Sequence, residues 1–126
     1  MTTKVNKLTP MIYATDVQGT VDFYVKTLGF TCLANEKDWG WATVQLGSAE
    51  LMISKPNDHI AFEKPTFTGS FYFHADGVDE IWDRVKDNLK ICYPIENFEY
   101  GMREFAVYDN NGYLLQFGQA VTAPAN

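Results

Sequence analysis

One histidine and two carboxylates are the residues of this chain best placed for chemistry. His74 sits in the strand-like run SFYFHA (70–75), Glu50 in a run at 49–54, and Glu104 near the start of REFAVYDNNGYLLQFG. Alternation along the strands puts all three on the same kind of face. Together they could hold a divalent metal or form an acid–base pair. The structural alternative is a histidine bonded to a neighbour or standing at the rim of a cleft, since no pair among them has a diagnostic spacing. Glu104 could likewise anchor a cationic or hydroxylated ligand, or pair with Arg103 beside it. His59 reads as plain surface.

Other chemistries have no support. Gly-x-Gly-x-x-Gly, Gly-x-x-x-x-Gly-Lys and Cys-x-x-Cys are absent, which removes the usual signs of nucleotide binding and thiol redox chemistry. Gly-x-Ser-x-Gly, the mark of an α/β-hydrolase nucleophile, is absent as well. Two cysteines, Cys32 and Cys92, are too few for a disulfide framework or a zinc site. A formal charge of −6 argues against a nucleic-acid partner and favours a neutral or cationic ligand. MTTKVNKLTP lacks the apolar stretch of a signal peptide, and no run reaches the length of a membrane span. The composition therefore implies a soluble cytoplasmic protein.

The elements that must position these residues come in two rounds. KLTPMIYA (7–14) reads as a strand. Thr15 or Asp16 can cap a helix whose apolar face is Val17, Val21, Tyr24 and Leu28, closed by Gly29. Strand-like pieces follow near 30–35, 41–46 and 49–54. Residues 55–68 hold two prolines and no steady period, and read as a linker. The second round has the strand 70–75, a helix with Val78, Trp82, Val85 and Leu89 on one face, the run ICYPI, and two final strands. Asn111-Gly112 between those strands predicts a type I′ turn. At an offset of 61, Ala14 falls on Ala75, Val17 on Val78, Val21 on Trp82, Tyr24 on Val85 and Leu28 on Leu89. The chain is thus one domain, 1–126, made of two strand-helix-strand-strand-strand modules, at about 7–54 and 69–119, with a tail at 120–126.

Strand alternation sorts the residues into two faces. Ile12, Ala14, Ala42, Val44, Leu46, Leu51 and Ile53, with Phe71, Phe73, Phe105, Val107, Leu115 and Phe117, form the side covered by the helices. The other side carries Trp41, Met52, Tyr72, His74, Glu104, Tyr108 and Gln116. A solvated face would hold more Lys, Glu and Thr, whereas aromatics mixed with a few polar groups suit a ligand cleft. Trp39 and Trp41 bracket Gly40 in a turn-to-strand region, where they could stack on a flat ring or cover a subunit seam. Trp82, on a helix's apolar face, reads as core.

TPMIYATDVQGTVDFYVKTLGF and YGMREFAVYDNNGYLLQFGQ resemble the first and last parts of proteins of the vicinal oxygen chelate superfamily, the glyoxalase, bleomycin-resistance and dioxygenase group. The likeness extends over residues 8–119 and is nearest the bleomycin-resistance-like branch. It implies an α+β fold in which tandem βαβββ modules form a cup-shaped mixed sheet with helices on the outer face. Enzymes of the group hold a divalent metal through four side chains, commonly His and Glu. Here those positions fall on Thr9, near Met52, near Ser70, and on Gln116. None of these is a usual ligand for such an ion.

The resemblance therefore implies a homodimeric binding protein without metal, cofactor or catalytic residues. Such a protein would sequester a partly aromatic molecule such as a bleomycin-type glycopeptide antibiotic. The expected ligand contacts are Trp39, Trp41, Met52, Tyr72, His74, Glu104, Tyr108 and Gln116. The alternative is a metal-dependent glyoxalase-, lyase- or dioxygenase-like enzyme with relocated ligands, using His74 with Glu50 or Glu104.

Overall fold

The computed structural model describes residues 4, 6–59 and 61–121. The chain separates into two compact units, one ending at Glu63 and the next beginning at Lys64. Residues 55–70 contain no described helix or strand.

The first unit contains β1 (Met11–Tyr13), α1 (Val17–Asp22), β2 (Thr31–Glu36), β3 (Trp41–Leu46) and β4 (Ala49–Ser54), in a sheet of order β1-β4-β3-β2. The Asp16 carboxylate accepts from the Gly19 amide at 2.9 Å, so Asp16 rather than Thr15 caps α1. A π-helical stretch, Phe23–Thr27, continues the helix, its wider turn closed by the Leu28 amide on the Phe23 carbonyl. Val17, Val21, Tyr24 and Leu28 are all buried, as the four-three-four spacing predicts.

The second unit repeats the order with β5 (Phe71–His74), α2 (Val78–Val85), β6 (Ile91–Asn97), β7 (Met102–Tyr108) and β8 (Leu114–Ala120), in a sheet of order β5-β8-β7-β6. In both sheets the first and last strands pair in parallel and the others antiparallel. This is an α+β architecture of two tandem modules. Phe105 and Phe117 are fully buried and stack at 5.2 Å, with Phe73 on Phe117 at 4.8 Å and Trp82 of α2 on Phe105 at 5.1 Å. Each such ring contributes about 1.5–3 kcal/mol through apolar area removed from water. Leu46, Phe71 and Phe73 remain half-buried.

Two local expectations need correction. The helical spacing through Leu89 predicts a longer α2, but the helix ends at Val85. The Asn88 side chain donates to the Arg84 carbonyl at 3.2 Å and gives the backbone a competing partner there. The final hairpin is also not closed by a two-residue type I′ turn, which needs positive φ at both central residues. Gly112 has φ of 104°, while among the described residues no non-glycine residue has positive φ. Residues 109–113 instead form a five-residue loop around the buried Asp109. Its Oδ1 accepts from the amides of Asn111, Gly112 and Tyr113, each at 2.9 Å.

Candidate functional site

The two sheets share one register plan. Glu104 pairs with Gly118 across β7 and β8 as Trp41 pairs with Ser54 across β3 and β4. Tyr72 pairs with Gln116 as Met11 pairs with Met52. The second unit thus has a carboxylate, a phenol and a carboxamide where the first has an indole and two thioethers. Only the second arrangement builds a polar network.

That network centres on Glu104, whose residue is 1% exposed. Tyr72 donates its hydroxyl to Glu104 Oε1 at 3.0 Å, and Tyr93 donates its own to Oε2. The Gln116 amide nitrogen donates to the Tyr93 oxygen at 2.9 Å, while its carbonyl accepts from the Ser70 hydroxyl. Every donor and acceptor has a consistent direction, from Ser70 through Gln116 and Tyr93 to the carboxylate. Among the described residues, no buried side-chain nitrogen or oxygen lacks a partner.

Two backbone features make the network possible. Proline in ICYPIEN cannot donate to a ladder, and the β6–β7 register shifts there. An unbroken ladder from Glu96 and Glu104 would set Tyr93 opposite Val107, on the core side. The shift sets it opposite Ala106, on the side of Glu104. The second feature is Gly118, where an added Cβ would lie 1.9 Å from the Tyr72 hydroxyl. The missing side chain lets the Tyr72 phenol cross β8 and reach β7.

Burial and the neighbouring Glu104 carboxylate push the Tyr72 phenol up to about 12, because a phenolate there would be poorly hydrated and repelled. Tyr93 is raised by burial first and by Glu104 next, against a smaller opposing effect of the Gln116 donor. Tyr100 is also raised, by desolvation and then by Glu104.

Above the network lies an open cavity of about 440 Å³, lined by Tyr72, His74, Tyr100, Met102, Glu104 and Gln116. Its size is within the range of small-molecule sites. Tyr100 stands in the turn between β6 and β7, closed by the Gly101 amide on the Phe98 carbonyl, and stacks on Phe98 at 5.4 Å. Phe98 in turn meets Tyr93 edge-on at 5.5 Å. His74 is exposed, its ring tilted against Tyr72 at 5.0 Å.

Four of the eight residues singled out from the sequence therefore line this cavity: Tyr72, His74, Glu104 and Gln116. Tyr108 is not among its lining residues; its hydroxyl lies 3.5 Å from Cys92 Sγ and its ring beneath Lys90. Trp39, Trp41 and Met52 belong to the first unit, where Trp39 is 73% exposed and Trp41 and Met52 are half-buried in the sheet. Tyr100, Met102 and Tyr93 went unrecognised in the sequence. Met102 was legible two residues before Glu104 on the same alternation, whereas the bulge hid Tyr93.

Arg103 does not pair with Glu104. Its guanidinium bonds Asp79 at 2.7 Å and Asn97 at 3.1 Å, and this pairing lowers the Asp79 carboxyl below its ordinary value. Glu50 holds Lys7 at 2.8 Å. Cys32 and Cys92 are both free thiols.

The metal of the superfamily's enzymes does not fit this donor set. Ser70 and Gln116 spend their oxygens and amide on each other and on Tyr93. Thr9 and Met52 offer a hydroxyl and a thioether to an ion that prefers imidazole and carboxylate. Among the described residues, no group of three His, Cys, Asp or Glu is placed to hold a metal ion.

The profile of the Glyoxalase/Bleomycin resistance protein/Dioxygenase superfamily matches residues 5–117. A bleomycin resistance protein of Geobacillus stearothermophilus is 25% identical over 128 residues, covering 89% of this chain and 95% of that one. The crystal structure of TioX from Micromonospora sp. ML1 superposes with a TM-score of 0.74 at 21% identity, covering 95% of this chain and all of that one. Lactoylglutathione lyase from Agrobacterium tumefaciens has a TM-score of 0.71 at 18% identity, covering 93% and 96%. No described helix is long and apolar enough to cross a membrane. With the tandem modules and a profile match over most of its length, the chain belongs to the Glyoxalase/Bleomycin resistance protein/Dioxygenase superfamily.

Proposed function

We propose that the protein binds a small, partly aromatic molecule in the cavity above Glu104 and acts by sequestering it, without catalysis. The observation that carries this reading is the closed hydrogen-bond chain from Ser70 to Glu104 and Tyr72, over which aromatic walls stand. Its polar groups hold one another in place, which suits a preformed recognition surface. The match to bleomycin resistance proteins makes a bleomycin-type glycopeptide antibiotic the first ligand to try. The reading takes the working form to be a homodimer, as the resemblance implies, in the cytoplasm, as the composition implies.

Calorimetric titration of the purified protein with a bleomycin-type antibiotic tests this directly. Saturable binding, with the antibiotic recovered chemically unchanged, is the expected result. Turnover of the antibiotic, or of a glutathione hemithioacetal on adding divalent metal, would instead establish the enzyme reading. Light scattering of the same sample reads the oligomeric state.

A further inference from the structure

Among the described residues, Glu104 has no cationic side chain paired with it. The ion pairs of the described residues join Lys7 to Glu50, Lys26 to Asp22, Lys86 to Asp83 and Arg103 to Asp79, and none includes Glu104. Arg103, next in sequence, is turned away to Asp79. The cavity wall holds no lysine or arginine, and His74 is its other titratable side chain besides the phenols. Tyr72 and Tyr93 each donate one hydrogen bond to the carboxylate, which orients it without neutralising it. A carboxylate offers about four lone-pair sites, so Tyr72, Tyr93 and the nearby Tyr100 hydroxyl do not use them all. The cavity around it is lined by the aromatic side chains of Tyr72 and Tyr100 and the soft thioether of Met102. Aromatic faces attract cations through their quadrupoles, more strongly where water is excluded. The chain's charge of −6 adds a long-range attraction of the same sign.

We propose that this cavity selects organic cations: an alkylammonium or guanidinium group of the ligand seats on the Glu104 carboxylate between the rings of Tyr72 and Tyr100. This rests on the reading of the cavity as a small-molecule site and names the chemical class that site takes. The ammonium supplies the missing counter-charge, Glu104 Oε1 and Oε2 accept from it or face it, and the rings cover its apolar substituents. A buried charge paired in this way gains from the low local dielectric that would otherwise penalise it.

The test compares choline with 3,3-dimethylbutan-1-ol, which has the same shape with carbon in place of the charged nitrogen, by NMR titration of the full chain. Choline is expected to bind about tenfold or more tightly than the uncharged alcohol. Glu104→Gln, which keeps an accepting oxygen for one of the two phenols, is expected to erase that preference. Tyr100→Ala, at a 60% exposed position, is expected to weaken choline alone. Equal affinity of the two probes for the wild-type chain overturns the proposal, whether or not the Glu104 variant folds. A preference that survives in folded Glu104→Gln protein overturns it equally. If choline fails while a bleomycin-type antibiotic binds, the cation inference falls and the proposed function stands; if neither binds, both fall.

Discussion

The phenol of Tyr72 lies across the bare Cα of Gly118, so that a strand-edge tyrosine reaches a carboxylate two strands away. An added Cβ at Gly118 would stand 1.9 Å from the Tyr72 hydroxyl and 2.7 Å from its ring carbon Cζ. Gly118 is also the ladder partner of Glu104, whose Oε1 accepts a hydrogen bond from the Tyr72 hydroxyl. One position without a side chain thereby couples β5 to β7 through β8.

Gly118→Ala is expected to drive Tyr72 off Glu104 and lower stability by about 1–3 kcal/mol, through overpacking and a lost buried hydrogen bond. In a Tyr72→Ala background the same change should cost far less, because the obstruction is gone. Urea denaturation of the four proteins of this double-mutant cycle measures the coupling. Additive costs would refute the close approach.

Stability should fall at high pH in a way that depends on Glu104. Tyr72 has an ordinary value of 10 and a folded value of about 12, and Tyr93 is raised as well. A phenol with a raised folded pKa contributes stability that is complete below pH 10 and is lost as pH rises through the folded value. Urea midpoints between pH 8 and 11.5 should therefore decline above about pH 10. Phenolate absorbance at 295 nm should show the native tyrosines titrating late, and Glu104→Gln should bring Tyr72 and Tyr93 back toward the ordinary range.

Removing the acceptor should cost more than removing the charge. Glu104→Ala leaves the hydroxyls of Tyr72 and Tyr93 without their partner, at about 1–3 kcal/mol for each buried group left unsatisfied. Glu104→Gln keeps a carbonyl oxygen and should be the milder change. Thermal melting of the two variants ranks them, and equal losses in both would mean that charge rather than hydrogen bonding holds the network.

Gln116→Glu, which restores the carboxylate of the superfamily's enzymes, is expected to destabilise the protein without creating a metal site. It exchanges the amide that donates to Tyr93 for an oxygen that cannot, and places a second carboxylate near Glu104. Melting curves with and without Mn²⁺, Ni²⁺ and Zn²⁺ check this. A metal-dependent rise in melting temperature would count against the reading of the donor set.

Asp109→Ala should loosen the final hairpin, because one oxygen serves three amides there. A loss of about 1–3 kcal/mol is expected, with faster amide exchange at Asn111, Gly112 and Tyr113. Unchanged exchange at those amides would show that glycine alone closes the loop.

The sequence by itself determined the repeat, the order of elements and most of the buried apolar residues of each sheet. Val17, Val21, Tyr24 and Leu28 could be recognised because helical and strand periods are local properties that burial imposes residue by residue. Glu104, Tyr72, His74 and Gln116 were legible as one group because alternation on paired strands carries them to one face. Tyr93 was not, since a register shift at proline reverses its side, and Arg103 was not, since its partner Asp79 lies on a helix 24 positions away. The Asn-Gly signal was outweighed by Asp109, whose carboxylate satisfies three amides in a longer loop. Only the tertiary structure decided that one glycine on β8 opens the path between Tyr72 and Glu104, because close approach depends on the space left by neighbouring strands, which no single segment encodes.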